Sequence, residues 1–334
     1  MRSRTTAVVL AAVLLTSCFG PSTTGPGFRW APPEIRGVEW DDHVAQFRGT
    51  LTATDEFHGN RVYIVHLPDA RIVEHYLPFV SVLDACAIAG TDDAYALLTD
   101  GRIVRTGEDL EAKPRFRVGP SCEEDSSLSL SPDGSKIALA WRSGGNETGH
   151  GFTLTLVDVA TWRASVLRKG LDFGRPCWAP DGKSLFVVEP PGRILQCPLT
   201  PEENARPVAS GRFPLLSEDG NWLVFASPEP TYRGWLGWSF KSNSILTRWR
   251  IGTSQAPETM PHSSAKSPYP LAVSTSGWIL HQSEPDKRLP LEEYAGGVLT
   301  YNARGGIAVT DPASGKRETL FVGVGPRSFQ WRWD

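Results

Sequence analysis

The chain has 334 residues, of which 40% are hydrophobic and 21% charged, and its formal net charge at pH 7 is −3. This composition is too apolar for a disordered chain and too close to neutral for a nucleic-acid-binding protein. Gly (32) and Pro (27) are frequent, Trp is abundant at 12 and Met is scarce at 2. Such a composition favours many short strands joined by turns over a helix-rich enzyme core.

The N-terminus carries the features of an export signal. Arg2 and Arg4 precede an apolar run over 7–15, which ends at Leu15-Thr16-Ser17-Cys18. A basic segment, a short apolar run and small residues are typical of a secretory signal, and the run is too short to span a membrane stably. The small pair before Cys18 resembles the bacterial lipobox. That resemblance implies cleavage before Cys18 and a covalent lipid on its thiol; the alternative is a soluble signal with an incidental cysteine.

Three regions are expected on this basis. Residues 1–17 are the signal peptide, 18–37 are the lipidated Cys18 with a flexible tether rich in Pro, Gly, Ser and Thr, and 38–334 are the folded domain. Loss of Arg2 and Arg4 leaves 32 basic and 37 acidic residues, a net charge of −5. An acidic domain is not attracted to anionic lipid, so we expect attachment to the outer, extracytoplasmic face of the cell membrane through the lipid alone.

The folded domain is built from internal repeats. Three segments align, beginning at Ser131-Pro-Asp-Gly, Ala179-Pro-Asp-Gly and Ser217-Glu-Asp-Gly, and each is followed by an apolar strand. Weaker copies begin at Gly90 and Ser274. Asp-Gly supplies the positive-φ positions of a tight hairpin. The spacing of these turns, roughly 40 to 55 residues, is typical of a four-stranded propeller blade with variable insertions.

A second signature follows in the same unit. The segments 62–70, 153–162 and 306–315 are each an alternating strand followed by Asp and a small-residue turn, as expected for a third strand leading into a fourth. Together the two signatures resemble the TolB-type, WD40-like propeller family. The resemblance covers most of 38–334 and implies an all-β propeller with four-stranded antiparallel blades and protein–protein contact in the envelope.

The two ends of the domain are expected to share one blade. Residues 326–334 resemble a first strand, and 44–77 resemble the second, third and fourth strands. A blade made from both would close the ring and remove its free edges. First strands are then expected near 82–89, 126–131, 174–179, 212–217, 269–274 and 326–331, which predicts six blades, with seven as the alternative.

The long links between second and third strands, 142–151, 227–243 and about 284–297, are expected on one face together with the links between blades. Because binding residues tend to lie on loops carried by a rigid scaffold, this face is the candidate site. The loop 227–243 contributes four aromatic side chains that suit a protein, peptide or sugar partner, or else fold back as a small satellite core: Tyr232, Trp235, Trp238 and Phe240.

The links between blades are expected to ring the mouth of a central channel. They carry Asp84, Glu123, Glu124, Asp125, Asp172, Arg175, Arg212, His262 and Arg327. Because these residues include both acidic and basic side chains, the channel mouth is not expected to be purely anionic or purely cationic. The acidic run 123–125 suits either a cation with oxygen ligands or, more simply, a solvated loop, so no metal site is assigned.

The sequence shows no catalytic or nucleotide-binding motif, and no cofactor is predicted beyond the lipid on Cys18. Four further cysteines in an exported chain favour disulfides. Cys86 with Cys122 is the candidate bridge, between adjacent blades. Cys177 and Cys197 are expected on the first and third strands of one blade, too far apart to pair.

These features favour a binding or scaffold module at the cell envelope, with an unknown envelope protein or extracellular ligand as partner. The rival class is a propeller enzyme, such as a metal-dependent lactonase or a lyase, and a third is a carbohydrate-binding module; both would use the channel mouth. Several acidic or amide side chains converging on the channel axis would favour the enzyme. Because the mouth also carries three Arg, binding is favoured over catalysis.

Overall fold

The computed structural model of the chain divides into two units, Met1–Glu34 and Ile35–Asp334. All the residues that the structure describes lie in the second unit. They are 47–55, 60–67, 71–78, 80–108, 116–123, 125–142, 152–171, 175–200, 203–227, 245–259, 269–283, 306–310, 317–322 and 326–333.

The described residues form antiparallel strands in the following chain order. The first group is β1 (Gly49–Asp55), β2 (Arg61–Leu67), β3 (Arg71–Tyr76), β4 (Val82–Ala87), β5 (Ala94–Leu98), β6 (Arg102–Arg105) and β7 (Phe116–Arg117). The second is β8 (Ser127–Leu130), β9 (Lys136–Trp141), β10 (Phe152–Asp158), β11 (Ala164–Leu171), β12 (Cys177–Trp178), β13 (Ser184–Glu189), β14 (Arg193–Pro198) and β15 (Arg206–Ser210). The third is β16 (Arg212–Leu216), β17 (Trp222–Ser227), β18 (Ile245–Arg250), β19 (Glu258–Thr259), β20 (Tyr269–Val273), β21 (Ile279–Ser283), β22 (Gly306–Thr310), β23 (Arg317–Val322) and β24 (Pro326–Trp333).

Within the described ranges these strands make six four-stranded sheets. Sheet 1 has the order β24-β1-β2-β3, and sheets 2 to 6 follow the chain as β4–β7, β8–β11, β12–β15, β16–β19 and β20–β23. The first strand of each sheet coincides with a first strand predicted from the repeats. The prediction of an all-β propeller with four-stranded antiparallel blades is thus confirmed.

Sheet 1 joins the two ends of the domain, as the sequence predicts. β24 pairs antiparallel with β1, with Gly49 opposite Trp333 and Thr54 opposite Ser328. The C-terminal strand thereby covers the edge of β1 that would otherwise present unpaired backbone groups.

The fourth strand is the least buried strand in sheets 2 to 5. Every residue of β4 and β5 is buried, whereas β3 and β15 are largely exposed. An inner strand has neighbouring sheets against both of its faces, so it is mainly apolar; an outer strand faces water on one side and tolerates charge.

Apolar clusters fill the spaces between neighbouring sheets. Leu128 of sheet 3 packs with Leu83 of sheet 2, and Phe225 of sheet 5 packs with Phe186 of sheet 4. Sheet 1 is packed on both sides: one cluster joins it to sheet 2 and another, which includes Leu51 and Leu280, joins it to sheet 6. Each fully buried Leu or Phe in such a cluster contributes about 1.5–3 kcal/mol.

Candidate functional site: the central channel

The Asp-Gly repeats form the turns between first and second strands. In the turn after β8, Ser131 Oγ donates to Asp133 Oδ1 at 2.6 Å and accepts from the Lys136 amide at 2.9 Å, and Gly134 has φ +74°. Ser217 and Asp219 repeat this arrangement after β16. The hydroxyl and carboxylate supply partners to the backbone of the turn, so these motif residues stabilise the connection between the first and second strands of a sheet.

The first strands surround a cavity of about 450 Å³ on the propeller axis. All six sheets contribute lining residues: Thr52, Cys86, Ala87, Ala89, Ser129, Leu130, Pro132, Arg175, Pro176, Cys177, Trp178, Pro180, Leu215, Leu216, Ser217, Glu218, Pro270, Leu271, Ala272, Trp331 and Arg332. Ala89, Pro132, Pro180 and Glu218 are exposed and belong to the turns between first and second strands. The cavity therefore reaches solvent on the face of these turns.

Arg332 bridges sheets 1 and 3 at this face. Its Nη1 donates to the Ser131 carbonyl at 3.2 Å and its Nη2 to the Pro132 carbonyl at 2.9 Å. Cys86 of sheet 2 lies near enough for the guanidinium charge to act on its thiol. The C-terminal strand thus contacts the repeat turn of a sheet that is not its neighbour.

At the other end of the first strands, Asp84 and Arg175 form a buried ion pair. Arg175 Nη2 donates to Asp84 Oδ1 at 2.7 Å and Nε to Oδ2 at 3.3 Å, and only 1% of the Asp84 side chain is exposed. Asp84 also accepts from the backbone amides of Ala85 and Leu128, both at 3.0 Å. These contacts tie sheets 2 and 3 to the segment that enters sheet 4.

The cysteine thiols at the channel are held protonated by their surroundings. Burial, with the Asp84 charge as a second cause, raises the pKa of Cys86, and burial raises the pKa of Cys177 to about 12. Since the thiolate is the reactive form, neither side chain is an activated nucleophile.

The candidate disulfide between Cys86 and Cys122 is absent: all four cysteines within the described residues are free thiols. Cys86 is opposite Tyr95 in the register of β4 and β5, whereas the Cys122 amide donates to Thr99, four residues further along. Four strand residues span about 13 Å, and a bridge needs Cα atoms within about 7 Å. Cys177 and Cys197 lie on β12 and β14 with β13 between them, as expected for unpaired thiols.

The structure brings together two of the residues predicted at the channel mouth, Asp84 and Arg175, and Arg175 alone among the described members lines the cavity. Glu123 forms an ion pair with Arg142, Asp125 is exposed, and Arg212 begins β16. Arg327 is part of β24. Three others, together with the four aromatic residues of the 227–243 loop and the anchor, lie outside the described residues: Glu124, Asp172, His262, Tyr232, Trp235, Trp238, Phe240 and Cys18.

Several lining residues were not predicted: Thr52, Ser129, Trp178, Trp331 and Arg332 among them. The sequence repeat indicates the positions of two of these residues, Trp331 and Arg332. When β24 is aligned on β8, Trp331-Arg332-Trp333-Asp334 falls on Leu130-Ser131-Pro132-Asp133, the segment that leads into the turn. An Arg in the place of the small turn residue marks a side chain long enough to cross the channel end.

The described residues contain no group of three or more His, Cys, Asp or Glu arranged to hold a metal ion. Nor do they contain a helix of sufficient length and apolarity to cross a membrane.

Comparison with known proteins shows the fold. TolB from Acinetobacter baumannii is similar over 86% of this chain and 68% of its own, with a TM-score of 0.56 and 13% identity. The Cps50 (Swd1) β-propeller domain of Myceliophteria thermophila is similar over 86% of this chain and 89% of its own, with a TM-score of 0.50 and 11% identity. No protein-family model and no curated protein matches. The chain therefore has a TolB-like β-propeller fold, similar also to the Swd1 propeller.

Proposed function

We propose that this chain is an exported, lipid-anchored β-propeller that binds a protein partner at the bacterial cell envelope. Residues 1–17 direct export, Cys18 carries the lipid, the tether extends to residue 37 and the propeller follows. The six described sheets make the complete ring, with β24 and β1 closing it. Support comes from the lipobox-like segment, from the TolB-type repeats and from the similarity in fold to TolB.

The observation that favours binding over catalysis is that the Asp84 carboxylate is buried and fully hydrogen-bonded. A metal-dependent propeller enzyme needs open carboxylates on the channel axis. Among the described residues Asp84 is a buried acid of the first strands, and its two oxygens are occupied by Arg175 and by two backbone amides. This carboxylate serves to join sheets, which leaves surface contact as the function the geometry favours.

The partner surface is proposed to be the face that carries the long links between second and third strands. Tyr232, Trp235, Trp238 and Phe240 on the loop 227–243 supply aromatic contact area, which dominates the binding energy of many interfaces. This face is opposite the turns at which the channel cavity reaches solvent.

Membrane attachment is tested by Cys18→Ala. The expected result is release of the protein from the membrane fraction into a soluble extracytoplasmic fraction, because a single protein domain with a net negative charge has little affinity for anionic lipid. Retention in the membrane fraction would contradict the anchor.

Partner binding is tested by crosslinking the full chain in its own envelope, followed by capture and identification of the crosslinked protein. Residues 228–241 are replaced by a Gly/Ser linker of equal length, and the same replacement of 143–150 in another long link is the matched control. The expected result is loss of one specific crosslink in the first variant and its retention in the second. Unchanged capture by the first variant would overturn the proposed surface.

A further inference from the structure

The outer strand of sheet 3 presents a long open edge at the rim of the propeller. β11 has eight residues, whereas the other fourth strands have two to six. Within the described ranges β10 is the only strand that pairs with β11, in the order β11-β10-β9-β8. The other edge of β11 is therefore a template for an additional strand.

The backbone groups of this edge can be assigned from the turn that precedes β11. The Arg163 carbonyl accepts a hydrogen bond from the Asp158 amide of β10 at 2.9 Å. In an antiparallel pair the residues that bond to the neighbouring strand alternate, so Ser165 is the next residue to bond to β10. Ala164 and Val166 then direct their amides and carbonyls away from β10, towards the open edge.

The side chains of this segment are exposed. All four residues of 163–166 are at the surface, and Val166 is 51% exposed although valine is usually buried. Ala164 and Ser165 have small side chains, which leave room for a strand beside them. The segment thus offers both backbone hydrogen bonds and apolar contact to an extended chain.

The charges of β11 have one sign, unlike those of the other fourth strands. By sequence, β3 and β23 each carry one basic and one acidic residue, and β7, β15 and β19 each carry a single charged residue. β11 carries Arg168 and Lys169, and Arg163 directly precedes it. Among the described fourth strands, β11 is therefore the one with an excess of positive charge at a long edge.

Two of these three positive charges are not neutralised. Arg168 is paired with Glu189 of sheet 4, at 2.9 Å between Nη2 and Oε1. Arg163 and Lys169 form no ion pair with a described residue. They are six residues apart in the sequence, a span of about 20 Å in a strand. A positive charge therefore stands near each end of the exposed segment.

This charge pattern selects the kind of strand that the edge can accept. Two copies of β11 placed side by side would bring like charges together, which disfavours self-association through this edge. An extended segment with acidic residues gains attraction at the same positions. We propose that the open edge of β11 binds an extended segment of a partner protein, with an apolar centre and acidic residues at both ends, as a fifth strand of sheet 3.

The proposal is tested by fluorescence anisotropy of the full chain with the fluorescein-labelled peptide EEVTVTVEE. Saturable binding at one site is expected, and it should weaken as the ionic strength rises, because salt screens exposed charges. The peptide KKVTVTVKK should not bind. The acidic peptide N-methylated at each central residue keeps its charges but loses its backbone donors, so it should not bind either.

Variants of the edge separate strand addition from general attraction between charges. Val166→Pro removes an outward amide, and an open edge tolerates proline, so peptide binding should weaken about tenfold with little change in the thermal midpoint. Lys169→Glu reverses a charge at the edge and should weaken binding about tenfold. Lys183→Glu makes the same change at an exposed residue of sheet 4 and should leave binding unchanged.

The proposal would be overturned by a lack of saturable binding, by equal binding of the N-methylated peptide, or by equal losses in Lys169→Glu and Lys183→Glu. It would also be overturned if sedimentation showed a dimer that Val166→Pro dissociates, since a second copy would then occupy the edge. The replacement at 228–241 should leave peptide binding unchanged, so this test is independent of the proposed partner surface.

Discussion

Asp84 and Arg175 are 91 residues apart in the chain, yet their side chains form a two-point ion pair that joins three sheets of the propeller. The carboxylate is buried, and its remaining hydrogen-bonding capacity is met by the amides of Ala85 and Leu128. Breaking such a pair by removing one partner leaves a charge without compensation, which is the costly case for buried ions.

We expect Asp84→Asn to lower the free energy of unfolding by about 3 kcal/mol, because the amide cannot neutralise Arg175 and replaces one acceptor by a donor. The matched control is Glu74→Gln in the Arg61–Glu74 pair, whose side chains are 27% and 37% exposed. An exposed pair contributes at most about 1 kcal/mol. Urea denaturation of both variants measures the difference, and equally small losses would contradict the structural role of the buried pair.

The turn after β8 should make stability depend on acid pH. Hydrogen bonds from the Ser131 hydroxyl, and then from the Ser135 amide and hydroxyl, lower the pKa of Asp133 from 3.8 to about 2. The folded-state pKa lies below the unfolded value, so this stabilisation is complete above about pH 4 and is lost as the pH falls through 2.

Removal of the Ser131 hydroxyl should therefore weaken that dependence. Ser131→Ala should have a lower thermal midpoint than the wild type at pH 5. The difference between the two thermal midpoints should become smaller near pH 2. The effect should be under about 1 kcal/mol because Asp133 lies at the surface. Ser165→Ala on the exposed strand β11 is the control. If the thermal midpoints of the wild type and Ser131→Ala fell equally with decreasing pH, this turn would be excluded as the source of the pH dependence.

The four described thiols should remain reduced and slow to react. Burial raises the pKa of Cys122 to about 11 and that of Cys177 to about 12, so thiolate is scarce at pH 8. We expect little alkylation by iodoacetamide in the native protein and complete alkylation in guanidinium. Non-reducing mass spectrometry that finds a bridge between Cys86 and Cys122 would contradict the structure.

Deletion of 326–334 should abolish cooperative unfolding. It removes β24, exposes the edge of β1 and opens the cluster that includes Leu51 and Leu280. Differential scanning calorimetry should show no transition near the parental temperature. The loop replacement at 228–241 is the control, since it removes no described strand, and its transition should be retained. A cooperative transition at the parental temperature after deletion would rule out a closing role for β24.

Much of this architecture could be predicted because its determinants are local. The Asp-Gly turns satisfy their own backbone groups within about five residues, as Ser131 and Asp133 do, so the same Asp-Gly pair specifies the same turn in sheets 3, 4 and 5. Strand alternation is equally local. The pairing of β24 with β1 is not local. It could still be predicted by counting strands, because the N-terminal part of the domain lacks a first strand and the C-terminal part supplies one.

The candidate site was predicted far less well. The sequence predicts Asp84 and Arg175 at one channel mouth but contains no signal that they pair. It suggests a Cys86–Cys122 bridge because the offset between these two residues along β5 is visible only in the structure. The contact of Arg332 with Ser131 joins residues 201 apart and depends on where two sheets stand in the ring.

The sequence by itself determined the propeller fold and its repeat turns, because hydrogen bonds between near neighbours and alternating burial are written in short segments. The tertiary structure alone decided which side chains share the channel, which face its cavity reaches, and that its buried acid is already engaged. Those properties arise from side chains on different sheets, and their distances are set by how the sheets pack.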